Sequence, residues 1–375
     1  MISQKKILIV TTTDSMIGQF LLPHIKHLQD NGNIVECACH KTGFWFDEMV
    51  NNGIKVYEVP FARNPLKPTN LKAKKQLYKL CEENDYDLIH CHTPVGGVMG
   101  RLAGKKFNIP VLYIAHGFHF YKGAPLINNL VYKNIEKHYS KYTDALVVMN
   151  DEDYNAALQM NAKRVYKING IGFDVEKYSK YSIENLNLLN QDLKINDSNF
   201  VILSVGELIK RKNYYIMLET IKILNDSNIV YLICGRGKLK NELIKYTKKL
   251  GIQNQVRFLG YRKDINSIMQ KSNLFFHASR QEGLTMAIME AMNYGLPVVT
   301  SIARGCRDLI DDKKGGFIND CDDVSGFGDS IKKIMNNKDL SKKMGEYNRN
   351  KIKNYSIDIV LKQMEPIYDD IFKIK

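Results

Sequence analysis

Two carboxylates eight residues apart interrupt an otherwise apolar stretch, "RQEGLTMAIMEAMNYGLPVVTS" (280–301). Glu282 follows a predicted strand, and Glu290 lies inside a predicted helix that begins at Leu284 and ends near Gly295. Eight helical residues advance about 12 Å, so the two carboxylates cannot bind the same atom. Their spacing predicts contacts with two separate parts of one long ligand. The alternative for Glu290 is a structural ion pair with an arginine.

A loop that joins glycine with cations precedes this stretch. In "SVGELIKRKN", Gly206 ends a predicted strand, and Arg211 and Lys212 follow before a predicted helix. Such a strand-to-helix loop can bind a diphosphate, and a solvated basic turn is the alternative. The loop "CGRGKLK" places Gly235 after another strand, but it lacks the third glycine of a dinucleotide fingerprint. The chain also has no GxxxxGK[ST] phosphate loop, so dehydrogenase and P-loop functions are disfavoured.

Short β-branched runs alternate with helical stretches along the whole chain, which is typical of parallel α/β units. Ligands of such sheets bind outside the carboxyl ends of the strands, where the glycines and charged residues above are found. The fold class is therefore predicted as α/β with two doubly wound sheets. The predicted strands are 7–10, 33–39, 55–60, 87–92, 110–116, 145–150, 165–170, 200–206, 229–235, 256–260, 274–279 and 297–301.

The strand pattern divides the chain into two domains. Residues 1–180 form the predicted N-terminal domain and residues 199–355 the C-terminal domain, with a polar, weakly periodic linker at 181–198. A closing helix at about 356–375 has an apolar stripe, interrupted near Pro366, and is expected to pack on the N-terminal domain.

Composition limits the class of protein. With 44% hydrophobic and 25% charged residues, the 375-residue chain is typical of a soluble globular protein, and no apolar run approaches the roughly 20 residues of a membrane span. The start, "MISQKKILIVTTT", is too short in apolar residues for a secretory signal, which predicts a cytoplasmic protein. Seven cysteines without a CxxC pair are expected to be reduced, and the acidic run 320–323 is too late in a loop to predict a metal site.

The net charge of +14 indicates an anionic partner. Lys133, Lys137 and Lys141 recur at helical spacing beside an apolar stripe, which predicts a helix that lies on an anionic membrane surface. A solvated face of an ordinary helix is the alternative.

Two histidines lie where a binding crevice is expected. His116 and His119 flank Gly117 at the end of a predicted strand. The remaining candidates are expected to be core residues with satisfied hydrogen bonds, as lone buried histidines usually are. These are His24, His27, His138 and His277.

Five motifs in order resemble one family. The Glu282/Glu290 pair, "VGELIKRKN", "IHCHTPVGGVMGRLA", "HGFHF" and "RGCRDLI" are similar to those of the retaining GT-B glycosyltransferases of family four, especially bacterial enzymes of capsule and exopolysaccharide synthesis. The resemblance covers essentially the whole chain. It implies two Rossmann-like domains facing a central cleft, with a UDP-sugar as donor substrate and no metal or other cofactor. It also implies a polyprenyl-diphosphate-linked glycan as acceptor, at the inner face of the cell membrane.

The resemblance assigns roles to individual residues. It implies that Lys212 contacts the diphosphate, that Glu290 contacts the ribose, and that His116 and Glu282 contact the sugar. His116, Lys212 and Glu282 form the implied catalytic set. Many relatives carry an arginine where this chain has Glu207, and Arg211 is the candidate substitute. The implied donor site comprises Gly18 in a loop near the diphosphate, Gly206, Arg211, Lys212, Gly235, Tyr261, Glu282, Gly283, Leu284, Thr285 and Glu290.

The expected function is thus transfer of a hexose or N-acetylhexosamine from a UDP-sugar to a lipid-linked glycan. A UDP-sugar epimerase of similar two-domain build is one alternative. A basic nucleic-acid-binding protein is another, although the chain has no recognisable binding motif and few aromatic residues among its basic runs, so no nucleic-acid partner is expected.

Overall fold

The computed structural model describes residues 4–176 and 186–373. The chain divides into two compact units, residues 1–172 with 357–375 and residues 173–356, called the first and second unit below. Among the described residues, no helix combines the length and the apolar character needed to cross a membrane.

The first unit is built on a parallel seven-stranded sheet. Its strands are β1 (Lys6–Thr13), β2 (Ile34–His40), β3 (Lys55–Glu58), β4 (Leu88–His92), β5 (Val111–Ile114), β6 (Ala145–Val148) and β7 (Arg164–Lys167). Their order is β3-β2-β1-β4-β5-β6-β7. The helices are α1 (Asp14–Met16), α2 (Leu22–Asp30), α3 (Trp45–Asn51), α4 (Thr69–Glu82), α5 (Pro94–Phe107), α6 (Leu126–Ser140) and α7 (Asp151–Ala157), with a π-helical turn at Ile17–Leu21.

The second unit repeats this topology with six parallel strands. They are β8 (Phe200–Val205), β9 (Ile229–Cys234), β10 (Val256–Gly260), β11 (Leu274–His277), β12 (Val298–Ser301) and β13 (Gly316–Asn319), in the order β10-β9-β8-β11-β12-β13. The helices are α8 (Leu186–Leu193), α9 (Tyr214–Leu224), α10 (Lys240–Leu250), α11 (Ile265–Lys271), α12 (Met286–Asn293), α13 (Val324–Met335) and α14 (Lys338–Lys351). Single 3-10 turns lie at Lys210–Lys212 and Ile352–Tyr355.

The predicted α/β class with two doubly wound sheets is confirmed. The central strands β1, β4, β8 and β9 are largely buried on both faces, as strands covered by helices on two sides must be. All twelve predicted strands are present. The sequence analysis missed β13, because its sequence, GFIN, has no β-branched run.

Part of the predicted linker, 181–198, is helical. Its residues 181–185 lie outside the described residues, and α8 occupies 186–193.

The closing helix, α15 (Ile357–Phe372), is continuous, so the predicted interruption at Pro366 is wrong. Pro366 lies on the exposed side, where water can satisfy the carbonyl that loses its hydrogen bond. The opposite side packs within the first unit, where Tyr368 Oη lies 3.0 Å from His90 Nδ1. Tyr166 Oη donates to Asp370 at 2.7 Å.

Candidate functional site

The charged residues of the second unit meet where its strand order reverses. β8 pairs with β11, although β9 and β10 come between them in the chain. The loop after β8 carries Gly206 to Lys212, and the loop after β11 carries Ser279 to Thr285. Such a reversal leaves a crevice at the carboxyl edge of the sheet, so the sequence motifs converge at a topological switch point.

Glycine is required where neighbouring strand-end loops touch. A Cβ atom on Gly235, whose φ is +150°, would lie 1.9 Å from the carbonyl oxygen of Gly206. The two loops are also joined by a hydrogen bond from Leu208 N to Arg236 O at 2.8 Å. A side chain at Gly235 would therefore separate the loops, so this glycine is explained by close packing.

Glu282 is the centre of an ionic cluster. Its carboxylate contacts Lys212 Nζ at 2.7 Å through Oε1 and Arg211 Nη1 at 2.9 Å through Oε2. His277 Nε2 lies 3.2 Å from Oε1. Two residues of one loop are thus tied to a buried carboxylate of the next, which fixes the orientation of both cations.

Burial and charge oppose each other in this cluster. Burial raises the pKa of Glu282, but the hydrogen bond to His277 and the charges of Lys212 and Arg211 outweigh it, so the pKa lies far below its usual range. Burial, followed by the charge of Lys212, lowers the pKa of His277. Glu282 is therefore ionised at physiological pH, and His277 beside it is neutral.

His277 is the site residue whose role the sequence analysis missed. The sequence predicts a core histidine at this position, and His277 is indeed buried, but its ring contacts the Glu282 carboxylate. The signal was available, because His277 ends β11 and Glu282 follows five residues later at the carboxyl edge of the sheet.

Backbone contacts hold the two loops together. The carbonyl of Arg211 accepts hydrogen bonds from Arg280 N at 2.9 Å and from Ser279 Oγ at 3.1 Å. The Arg211 side chain also donates to Gln281 O at 2.6 Å. The "RGCRDLI" motif supports the same loop, because Gly305, with φ +76°, lies so close that a Cβ would be 2.3 Å from Gly283 O. Substitution of Gly305 would displace Glu282.

Helix α12 begins at Met286, two residues later than predicted, because Thr285 is extended (φ −96°, ψ 118°). Glu282, Gly283 and Leu284 therefore lie in a loop, and the estimate of helical rise between Glu282 and Glu290 does not apply. Leu284 and Thr285 lie just before the amino-terminal end of α12. The helix ends at Asn293 with Gly295 at φ +69°, as predicted, and half-buried Glu290 occupies its second turn.

Tyr261 follows β10, at the far edge of the same sheet. Its side chain is 62% exposed, and the Arg236 guanidinium lies 5.3 Å from the centre of its ring. Its role in donor binding stays a prediction.

The acidic run 320–323 serves local structure. Asp322 pairs with Arg280 Nη1 at 3.0 Å, and Asp323 caps α13 by accepting from Gly326 N at 2.8 Å. Within the described ranges, no group of three or more histidine, cysteine, aspartate or glutamate residues is arranged to hold a metal ion.

In the first unit, Gly18 is not in a loop, contrary to expectation. It lies in the π-helical turn directly after α1, because the chain turns helical at the end of β1. A Cβ atom at Gly18 would lie 2.3 Å from Trp45 Cε3, so the position is buried under an indole ring. Its part in donor binding stays a prediction.

His116 follows β5 at the carboxyl edge of the first sheet. Its Nε2 lies 3.0 Å from Nδ1 of His92, the last residue of β4. Burial, with a smaller contribution from His24, lowers the pKa of His116 to about 4. His116 is therefore neutral at physiological pH, and its ring is oriented by a second histidine. His119, in contrast, is exposed.

The histidines expected in the core differ from one another. His24 is buried, with Nε2 at 2.7 Å from Ile171 O, as predicted. The prediction is wrong for His138, which is exposed on α6, and for His27, which is half-buried and lies 3.2 Å from Glu365. Both are on helix surfaces, where neighbouring polar residues give an imidazole access to water.

The two parallel α/β sheets indicate the GT-B fold of glycosyltransferases, and comparison with known proteins agrees. The family model of glycosyl transferases group 1 matches residues 186–351, and the glycosyl transferase 4-like model matches residues 6–150. The chain is 33% identical over 373 residues to EpsD of Bacillus subtilis, described as a glycosyltransferase, covering 97% of this chain and 96% of that one. The chain belongs to this glycosyltransferase family, which confirms the resemblance to family-four enzymes.

Two further relatives extend the comparison. The chain is 29% identical to the UDP-Gal:alpha-D-GlcNAc-diphosphoundecaprenol alpha-1,3-galactosyltransferase of Escherichia coli, over 90% of this chain and 89% of that one. Among solved structures, Anabaena HepE in complex with UDP and glucose superposes with a TM-score of 0.82 at 20% identity, covering 98% of this chain and all of that one. The latter likeness establishes the GT-B fold alone.

Proposed function

We propose that this protein transfers a sugar from a UDP-sugar to a lipid-linked glycan, with retention of anomeric configuration and without a metal ion. The observation that carries the proposal is the cluster of Lys212, Arg211 and Glu282 at the switch point. Glu282 precedes by four residues the start of α12, the helix that carries Glu290. Similarity to the E. coli galactosyltransferase supports a diphospholipid-linked acceptor, and the UDP bound to HepE supports the donor. Similarity to the capsular polysaccharide biosynthesis glycosyltransferase CapM of Staphylococcus aureus, at 22% identity over 84% of this chain, supports a role in capsule synthesis.

The leaving group is a diphosphate, whose growing charge must be stabilised as the glycosidic bond breaks. Lys212 and Arg211 carry two positive charges against the single negative charge of Glu282, so the cluster has a net charge of +1. Preorganised cations of this kind can supply the stabilisation that a divalent metal supplies elsewhere. Gly206 and Gly235 let the backbone approach the same region, and the amides of 283–285 lie before the positive end of α12.

The carboxylates have separate tasks in this proposal. Glu290 accepts hydrogen bonds from the ribose hydroxyls. Glu282 orients Lys212 and Arg211, and it retains capacity for the sugar, because a carboxylate has about four acceptor sites and three are occupied here. His116 contacts the donor sugar as the resemblance implies.

A two-stage experiment tests the proposal. A thermal-shift panel of UDP, UDP-glucose, UDP-galactose, UDP-GlcNAc and GDP-mannose should show stabilisation by UDP compounds, absent in Glu290→Ala. Transfer of the selected sugar to a synthetic GlcNAc-diphosphate lipid should proceed in EDTA, with the anomeric configuration of the product read by proton NMR. Strict dependence on magnesium or manganese would refute the metal-free mechanism. Epimerised free donor in the absence of acceptor would favour an epimerase.

We also propose peripheral binding to the cytoplasmic membrane through α6. Its apolar residues point away from the unit, with Leu126 87% and Leu130 67% exposed, beside the exposed Lys133, Lys137 and Lys141. Apolar side chains flanked by lysines suit an anionic lipid surface, and each lysine adds about 1 kcal/mol there.

The buried side of α6 is polar, which is the reverse of an ordinary surface helix. Glu136 and Ser140 are its buried residues, and Glu136 Oε2 lies 2.8 Å from Nη1 of the fully buried Arg101. The Arg101 guanidinium lies 4.3 Å from the centre of the Tyr113 ring. An ion pair anchors the helix and leaves its apolar residues for a partner.

Liposome flotation tests this surface. Binding to anionic vesicles should fall at high salt and in the triple variant Lys133→Glu, Lys137→Glu, Lys141→Glu. The matched control changes three exposed lysines of α10, Lys245, Lys248 and Lys249, to glutamate and should still bind. Equal binding to neutral and anionic vesicles, or equal loss in both triple variants, would exclude electrostatic docking through α6.

A further inference from the structure

A column of buried histidines stands behind His116 in the first unit. His90 and His92 lie on the same face of β4, with ring centres 4.5 Å apart, and the rings of His92 and His116 are 5.2 Å apart. His92 is fully buried, and its Nδ1 lies 3.0 Å from His116 Nε2. One proton must lie between these two nitrogens. Whether His92 or His116 carries it determines whether Nδ1 of His116 is an N–H donor or an acceptor.

The two possible arrangements differ in what they leave buried. If His116 Nε2 donates the hydrogen bond, neutral His92 must carry its own proton on Nε2. That nitrogen is buried and has no hydrogen-bond partner among the described residues, so an N–H would be orphaned there. If His92 Nδ1 donates instead, only a lone pair is left at Nε2. Orphaned buried N–H groups are rarer than unpaired acceptors, which favours the second arrangement.

Burial keeps both rings neutral, so each carries a single proton. Desolvation, followed by the charges of neighbouring histidines, places the pKa of His92 well below its ordinary value, and desolvation lowers that of His116 to about 4.

The backbone at His92 is held in place by a strained neighbour. Thr93 has φ 64° and ψ 154°, a conformation that is costly for a β-branched residue. Thr12 secures it, with 2.6 Å between the two hydroxyl oxygens and a hydrogen bond from Thr12 N to Thr93 Oγ1 at 3.1 Å. A conformation fixed this way leaves His92 little freedom to turn from His116.

We propose that His92 is a positioning residue that holds His116 in the Nδ1–H tautomer, so that His116 presents an N–H donor to the transferred sugar. The inference rests on the proposed function only in naming the sugar as the ligand of His116. The group that His116 recognises is then an oxygen acceptor, such as a sugar hydroxyl oxygen.

Nitrogen-15 NMR of the full-length, ligand-free protein labelled in histidine decides the tautomer without any assay of activity. The His116 signals are assigned by their loss in His116→Gln. The expected result is a protonated Nδ1 and an unprotonated Nε2 at pH 7.5. A proton on Nε2 of His116 in the wild-type protein would overturn the proposal.

Variants of β4 test the consequence for transfer. His92→Phe should lower kcat/KM for the UDP-sugar by up to about 100-fold, the scale for misplacing a positioned group, with UDP affinity unchanged. His92→Asn, whose side-chain amide can donate near the position of Nδ1, should recover much of this loss. His90→Phe is the matched control, since His90 is equally buried on the same strand but contacts Tyr368.

The outcomes separate this inference from the proposed function. Equal loss in His92→Phe and His90→Phe would show a packing effect and overturn the positioning role. Full transfer activity in His116→Ala would remove the sugar as its ligand, while the NMR result would still determine the tautomer.

Discussion

The two sheets share one strand order but carry opposite chemistry at their switch points. In the first unit, the ends of β1 and β4 present threonines and the neutral His92, with His116 after β5. In the second unit, the ends of β8 and β11 lead into an ionic cluster of Glu282, Lys212 and Arg211. Both sets are buried or half-buried, yet one is kept neutral by burial and the other is kept charged by its partners.

This difference in charge indicates that the strand order determines where a site lies, whereas a few loop residues determine which ligand it suits. A carboxylate with two cations tolerates burial because each charge is paired, and it suits a charged ligand. Histidines without charged partners lose their protons when buried, and they suit neutral hydroxyl groups. The predictions below test this division of charge, beginning with the largest expected effect.

Removing the cation of the second unit should affect catalysis most. Lys212→Ala should lower kcat by about 10²–10³, the scale for loss of one preorganised group at a developing charge. The control is Lys210→Ala, an exposed lysine of the same 3-10 turn, which should retain activity. Steady-state kinetics with and without EDTA provide the measurement. A similar loss of kcat in both variants would mean that the positive charge of the whole turn, rather than the contact of Lys212 with Glu282, supports turnover.

Glu290→Ala should weaken UDP binding by about 2–4 kcal/mol, since a charge-assisted pair of hydrogen bonds to the ribose would be lost. Calorimetric titration with UDP measures this effect. Folding should largely survive, because Glu290 is only half-buried. A variant that binds UDP normally but melts at a much lower temperature would indicate a structural ion pair instead.

The neutral histidines predict a pH dependence of stability. Unfolded histidine binds a proton near pH 6.5, whereas burial lowers the pKa of His116 to about 4 and that of His90 to about 3. Below pH 6.5 the unfolded chain therefore binds more protons than the folded protein does, so the free energy of unfolding decreases as the pH is lowered. For His116 this decrease is on the order of 2 kcal/mol from pH 7 to pH 5. Glu282 contributes little slope over most of this range, because its lowered pKa in the folded protein and the ordinary glutamate pKa of about 4.3 in the unfolded chain both lie below pH 5.

Thermal melting between pH 5 and 7.5 measures this slope. His90→Phe should flatten it, because one neutral buried histidine is removed, while His277 adds one such group in the second unit. A melting temperature of the wild-type protein that does not change over this range would contradict the assignment of the buried rings as neutral.

The fold was predictable because parallel strands buried on both faces have a strong signature. Runs such as "ILIV" and "VYLIC" are apolar throughout, and each is followed by glycine, threonine or a polar residue at the strand end. The edge strand β13 has no such run. Pro366 predicts an interrupted helix, but the helix continues because Pro366 lies on its exposed side. Local pattern thus fails where solvent exposure decides the outcome.

The sequence predicts which loops form the site, but it does not predict which side chains contact one another there. The pairing of Lys212 and Arg211 with Glu282 joins residues about 70 positions apart, which no local pattern specifies. The contact of buried His277 with Glu282 was not predicted, because the local sequence around a lone histidine does not identify its partner. The location of Gly18 was wrong because the chain turns helical directly after β1, where a loop was expected.

The smallest expected effect concerns the arginine of the cluster. Arg211 is the candidate substitute for the cation that relatives carry at the position of Glu207, and its side chain is already held by Glu282 and Gln281 O. Because the guanidinium is 37% exposed, Arg211→Ala should cost only about 1.4 kcal/mol, a tenfold fall in kcat/KM for the UDP-sugar. Arg280→Ala is the matched control, since that neighbouring arginine pairs with Asp322.

A second substitution shows whether the lost charge or the lost contact matters. Glu207 is exposed just after β8, so Glu207→Arg can be accommodated without burying a new charge. In the Arg211→Ala background it should restore most of the tenfold loss if the diphosphate requires a second cation. A double-mutant cycle on kcat/KM compares the two single variants with the double variant. If the effects of Arg211→Ala and Glu207→Arg simply add, Arg211 serves only to orient Glu282.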